Sequence, residues 1–213
     1  MGVLAKLMCF GGVALISYFL GCFNGAVIIS KYILRDDVRN HGSGNAGLTN
    51  FHRTFGGPLM VLVILCDVLK AALSVWIGSM VFTELMPEIA LVGKYWAALF
   101  CLLGHMFPCM FQFKGGKGIL SGGTIALMID WRIALVVWGG FLLLVLLTRY
   151  VSLGSVWAGA SFPFISWYCY PDLFIVVLAF LCGGLVVWKH RGNIQRLLKG
   201  TESKFYLRSK RSN

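Results

Sequence analysis

Long apolar stretches alternate with short polar junctions along the whole chain. Read by length, the pattern predicts helices at roughly 4–30, 57–81, 92–112, 119–131, 133–149, 152–169 and 172–189. A helix needs about 20 apolar residues to cross a hydrocarbon core, so the expected fold is an all-α integral membrane protein. It is a seven-transmembrane-helix bundle with an external N-terminus and a cytoplasmic C-terminus, and 1–213 form a single membrane-embedded domain. The fourth stretch is short for a crossing, and a re-entrant half-helix is the alternative there.

Composition agrees. The chain is 58% hydrophobic and 13% charged with mean hydropathy +0.80, against ~25% charged residues in soluble domains. Seven crossings place Lys31, Arg35, Arg39, Arg53, Lys114, Lys117, Arg149 and the eight cations from Lys189 to Arg211 inside, with Lys6, Lys94 and Arg132 outside. That bias follows the positive-inside rule. The net charge of +11 then faces anionic headgroups and gives no reason to invoke nucleic acid. The N-terminal run reads as a first helix, since it reaches membrane-spanning length before Lys31 and exceeds a signal peptide's apolar core. The seven cysteines are scattered without a C-x-x-C spacing, so neither a disulfide framework nor a zinc site is expected. Trp96, Trp131, Trp157 and Trp188 read as interfacial belt residues and Arg149 as an anchor.

Four polar junctions carry the candidate chemistry: 36–53, 104–118, 148–155 and 189–202. One, three, five and seven predicted crossings precede them, so all four fall on one face. Three pieces are cationic, through Arg53, Lys117 and His190 with Arg191, while Ser43, Asn45, Thr49, Asn50, Ser152 and Asn193 supply neutral donors. Such a set selects phosphate or carboxylate anions.

Within the second junction, KGGKG at 114–118 suits phosphate. Adjacent Gly115 and Gly116 let backbone N–H groups turn toward a common point, and Lys117 stands where a helix starts. The alternative is a flexible basic loop facing lipid. The first junction contains G-x-G-x-x-G at Gly42, Gly44 and Gly47, but a dinucleotide fold needs a preceding strand and an acid about 20 residues on. The candidate acid, Asp67, falls in a membrane helix. A tight loop presenting Ser43, Asn45 and Thr49 fits better, with a locally capped turn as the bland reading. Asp67 and Lys70, three apart on one helix face, form either a structural ion pair or a contact to the ligand site. His41, His52 and His105 read as capping or packing residues.

Together GSGNAGLTNFHRTFG, GHMFPCMFQFKGGKG, TRYVSLGS and HRGNIQRLLKGTE resemble the motifs of the bacterial acyl-phosphate:glycerol-3-phosphate acyltransferases, over nearly the whole chain. The resemblance implies a bacterial inner-membrane enzyme, multi-pass, with its active site at the cytoplasmic face. It moves a fatty acyl group from acyl phosphate to the 1-hydroxyl of glycerol 3-phosphate, giving lysophosphatidate and inorganic phosphate. It implies no metal or cofactor, and a functional link to the enzyme that makes acyl phosphate. By motif, Ser43, Arg53, Lys117, His190 and Asn193 take catalytic roles. Asn45, Gly47, Thr49, Asn50, Gly115, Gly116 and Ser152 bind substrate. The chain departs from the pattern at Ile119-Leu120, usually Ala-Thr, at Ala71, usually Gly, and at Asn24, usually Pro. The hydroxyl proton goes either to His190 or to a substrate phosphate oxygen. A membrane transporter for a phosphate-bearing solute is the rival reading from the residues themselves.

Overall fold

The computed structural model describes residues 2–205; Arg208, Lys210 and Arg211, counted above among the inner cations, lie outside them. Among the described residues there is no strand. The long helices are α1 (Val3–Cys22), α4 (Met60–Leu85), α5 (Ala90–Met106), α6 (Ile119–Ile129), α7 (Trp131–Thr148), α8 (Val151–Cys169) and α9 (Leu173–Lys189). Shorter ones sit in the junctions: α2 (Gly25–Ile28), α3 (Leu48–Thr54) and α10 (Arg191–Leu198). Each predicted apolar stretch therefore contains one long helix.

Asp130 starts α7 by accepting the Arg132 N–H, and Asp172 starts α9 by accepting from Phe174 and Ile175. Small residues set the packing. A Cβ on Gly21 or Gly104 would collide with the backbone of the facing helix, so α1 and α5 meet backbone to backbone, the close approach that apolar helices use in lipid. Large apolar side chains are instead exposed on the outer surface, among them Leu69, Leu135, Leu146 and Phe164. An inside-out distribution of that kind is soluble in lipid, not in water.

The first stretch is not one continuous helix. Expected over 4–30, it breaks after Cys22, and Asn24 caps the next turn by accepting the Val27 N–H at 3.1 Å. A side-chain amide that binds backbone competes with the helical ladder, which explains the interruption. By length and apolarity α1, α4, α5 with its flanking turns, and α7 qualify as spans, and α9 joins them if its 56° bend into α10 is counted as one broken span. Helix α6 has 11 residues, about 16 Å of rise.

Candidate active site

Near one end of the bundle lies a cleft of about 1020 Å³. All four polar junctions line it. The first contributes Ser43, Asn45, Gly47, Thr49, Asn50 and Arg53; the second, Gly115 and Lys117; the third, Ser152; the fourth, His190 and Asn193. Gly116 stands just behind the wall. The cleft also reaches down to Asp67 and His105, about two turns into α4 and near the end of α5.

The first loop is built around Asn50, which is buried. Its Nδ2 donates to the carbonyls of Val38 and His41, and its Oδ1 accepts the Ser43 N–H, each at 3.0 Å. Those bonds make Asn50 a brace for the loop, as in the capped-turn reading, and leave Ser43 and Thr49 at the cleft edge. Gly42 has φ +56°, and a Cβ there would meet the Asn50 amide; only glycine fits both conditions. Arg39, paired with Asp37 at 2.7 Å, donates from Nη1 to the Phe111 carbonyl at 2.8 Å and so ties this loop to the second.

The second loop departs from expectation in one respect. The Gly116 N–H points away from the cleft and donates to the His105 carbonyl at 3.1 Å. A Cβ on Gly115 would strike that same carbonyl, and one on Gly116 would strike the His105 ring. The glycines are therefore needed for close approach to His105, and Lys117 is carried into the cleft as a result. His105 itself is more than a packing residue: its Nδ1 accepts from Lys70 Nζ at 2.8 Å. The other two histidines are as expected, His41 bonded to Asp36 and His52 set against the Met60 sulfur.

Lys117 Nζ donates to Asn193 Oδ1, and Asn193 Nδ2 donates to Glu202 Oε1 at 2.8 Å. Arg196 Nε donates to the other Glu202 oxygen at 2.7 Å. Burial, followed by the nearby charge of Arg196, lowers the Lys117 ammonium to about 8. Burial works to raise the Glu202 carboxyl, but hydrogen bonds from Asn193 and Arg196 outweigh it, with Ser152 close enough to add to them, and the net shift is downward. Ser152 Oγ is buried without a hydrogen bond of good geometry. His190 is lowered to about 4, chiefly by burial, and its Nδ1 donates to the Val186 carbonyl at 2.8 Å. That bond fixes the tautomer and leaves Nε2 as an acceptor.

Glu202 and Arg196 carry no role in the sequence reading. The available signal was that Glu202 is the sole acid after Asp172 in a strongly basic segment. Two of the tryptophans also join helices: Trp96 and Trp157 donate their indole N–H groups to the carbonyls of Phe10 and Val136 on neighbouring helices.

Fold and site define a helical integral membrane protein whose cleft gathers cations and neutral donors for anionic substrates. Residues 12–200 match the family model described as glycerol-3-phosphate acyltransferase. The chain is 35% identical over 191 residues to a glycerol-3-phosphate acyltransferase of Thermoanaerobacter pseudethanolicus, covering 90% of this chain and 93% of that one. It is 36% identical to one from Finegoldia magna, covering 89% and 93%. Two solved structures of PlsY, described as an integral membrane glycerol 3-phosphate acyltransferase, superpose with TM-scores of 0.82 and 0.78. The first, in a glycerol 3-phosphate form, is 31% identical and covers 92% of this chain and 96% of its own; the second is a lysophosphatidic acid form. The chain belongs to the glycerol-3-phosphate acyltransferase family, and it is an acyltransferase of the membrane.

Proposed function

We propose that the cleft acylates the 1-hydroxyl of glycerol 3-phosphate with an acyl phosphate as donor, from the cytoplasmic side of the bacterial inner membrane. One observation carries the reading. Lys117, Arg53, Ser43, Ser152, His190 and Asn193, drawn from four separate junctions, line a single cleft, large enough for two anionic head groups. The activity of the relatives and the two ligand forms of the solved structures support the acceptor and the product.

An acyl phosphate carries its own leaving group, so no acyl-enzyme is needed. The acceptor oxygen attacks the acyl carbon, forming a C–O bond as the bond from that carbon to the phosphate oxygen breaks. Phosphate departs with the electron pair. Holding two anions together is opposed by their repulsion, and Lys117 with Arg53 offsets it and stabilises charge on the departing phosphate. Ser43, Thr49 and Asn45 with Gly47 hold the glycerol backbone, Asn50 braces them, and Ser152 faces the head group. Gly115 and Gly116 shape the phosphate loop. His190 Nε2 orients the hydroxyl as an acceptor; its low basicity favours transfer of the proton to a substrate phosphate oxygen.

Seven crossings fit this reading despite the short α6. At its far end Asp130 accepts from Tyr170 Oη at 2.5 Å, in the turn between α8 and α9, and Lys94 at the start of α5 donates to Met128 O at 3.1 Å. The near end begins at Gly118 in the cleft.

The test is turnover by purified full-length protein given palmitoyl phosphate and glycerol 3-phosphate. Release of inorganic phosphate with formation of lysophosphatidate is expected, and none with palmitoyl-CoA as donor. Turnover with palmitoyl-CoA alone overturns the donor assignment.

A further inference from the structure

Asp67 and Lys70 are buried in α4, where the sequence leaves two readings open, a self-neutralising pair or a contact to the site. The geometry goes further than either. An ammonium group has three donors and no acceptor. Lys70 Nζ donates to His105 Nδ1 at 2.8 Å and to the Phe23 carbonyl at 2.9 Å, and its contact with Asp67 Oδ1 at 2.7 Å is an ion pair without hydrogen-bond geometry. Because the ammonium can only donate, His105 Nδ1 accepts, and the ring proton resides on Nε2.

Each acceptor beyond Asp67 leads to a loop of the cleft. The His105 ring lies against Gly116, and its carbonyl accepts the Gly116 N–H at 3.1 Å. Phe23 is the broken end of α1, and the next residue, Asn24, donates from Nδ2 to the Ala46 carbonyl at 3.0 Å. That carbonyl sits 2.5 Å from where a Gly116 Cβ would be, so the two loops abut above the lysine.

We propose that Lys70 is a positioning hub. It sets the tautomer and pose of His105, and with them the glycine loop that carries Lys117. Through Phe23 and Asn24 it sets the loop that carries Ser43 and Thr49. Asp67 supplies the counter-charge beside it. Neutralisation alone would need only the two charged residues, whereas two of the three donors go elsewhere. The proposal rests on the acyltransferase reading of the cleft.

The test compares Lys70→Met, Asp67→Asn and the double variant, all in full-length protein in nanodiscs. The double variant leaves no unpaired charge, so its thermal midpoint is expected near that of the unaltered protein. Its kcat/KM for glycerol 3-phosphate is expected about 100-fold lower, since misplacing reacting groups by about 1 Å costs that much. Recovery of normal kcat/KM in the double variant would mean a pair that merely cancels charge, and would overturn the hub. A second measurement needs no turnover and leaves Lys70, Asp67 and His105 unaltered. In protein labelled with 15N at its four histidines, assigned by substituting His41, His52 and His190, His105 is expected to show a bare Nδ1 and a protonated Nε2. A protonated Nδ1 overturns the proposal whatever the acyl donor proves to be.

Discussion

Lys117 Nζ donates to Asn193 Oδ1, joining the glycine loop to the start of α10 across 76 residues of chain. Glu202 in turn holds Asn193 and Arg196, so the position of the central cation depends on an acid at the end of the fourth junction. On the proposed mechanism, removing Lys117 takes away the charge that stabilises the departing phosphate. Lys117→Ala is expected to lower kcat by about 10²–10³. Glu202→Gln keeps the shape but frees Arg196 and weakens the grip on Asn193, and a loss of about 10- to 100-fold is expected. Steady-state release of inorganic phosphate checks both, and a Glu202→Gln enzyme with unchanged kcat/KM would count against the relay.

Burial lowers Lys117 to about 8, so its charge is present below that pH and lost above it. The kcat/KM for glycerol 3-phosphate reports free-enzyme groups and is expected to fall above pH 8. Lys117→Arg should move that limb upward, because guanidinium stays protonated. Stability changes in the opposite sense. The folded value lies below the ordinary 10.5, so folding disfavours the charged form, and this penalty fades as pH rises from 8 to 10.5. Lost activity in that window with an unlowered thermal midpoint separates titration from unfolding. On the acid side His190, lowered to about 4, stays neutral. A limb near about 6 then belongs to the substrate phosphate and should persist in His190→Gln.

The helices were legible because lipid demands long apolar stretches, and the meeting of the four junctions at one cleft was expected from counting crossings. The contents of the cleft were legible as residue types, since anions need cations and donors. The roles within it were less so. Asn50 carries the same amide as Asn193, yet one braces a loop and the other orients Lys117, a distinction made by contacts 7 to 12 residues away in the first case and 76 in the second. The break at Asn24 hid inside an apolar run because one side-chain amide produced it. His105 looked like packing because its partner, Lys70, lies 35 residues distant.

Gly116 is required by contact, not by dihedral angle: a Cβ there meets the His105 ring and the Ala46 carbonyl. Gly116→Ala is expected to push the two loops apart and lower kcat/KM about 100-fold. Gly139 in α7 has open space where a Cβ would go, so Gly139→Ala is the control, with activity unchanged and helix propensity slightly improved. Equal activity in the two variants would mean that the loops tolerate separation.

The topology rests on α6, the element too short to span a bilayer of ordinary thickness. If it crosses, the Asp130 turn, bonded to Tyr170, shares the outer face with the turns near Glu88 and Asp172, while Ser43 and Ser152 face inward. Cysteines introduced at Glu88, Asp130 and Asp172 in a chain with its native thiols replaced should then react with an impermeant maleimide added to intact cells. Those at Ser43 and Ser152 should react only after lysis. Shielding of both Asp130 and Asp172 in intact cells, with Ser152 labelled, would make α6 re-entrant. The Asp130–Tyr170 bond holds in either case, because α7 and α8 return the chain to the face it left, so Ser152 is the position that decides.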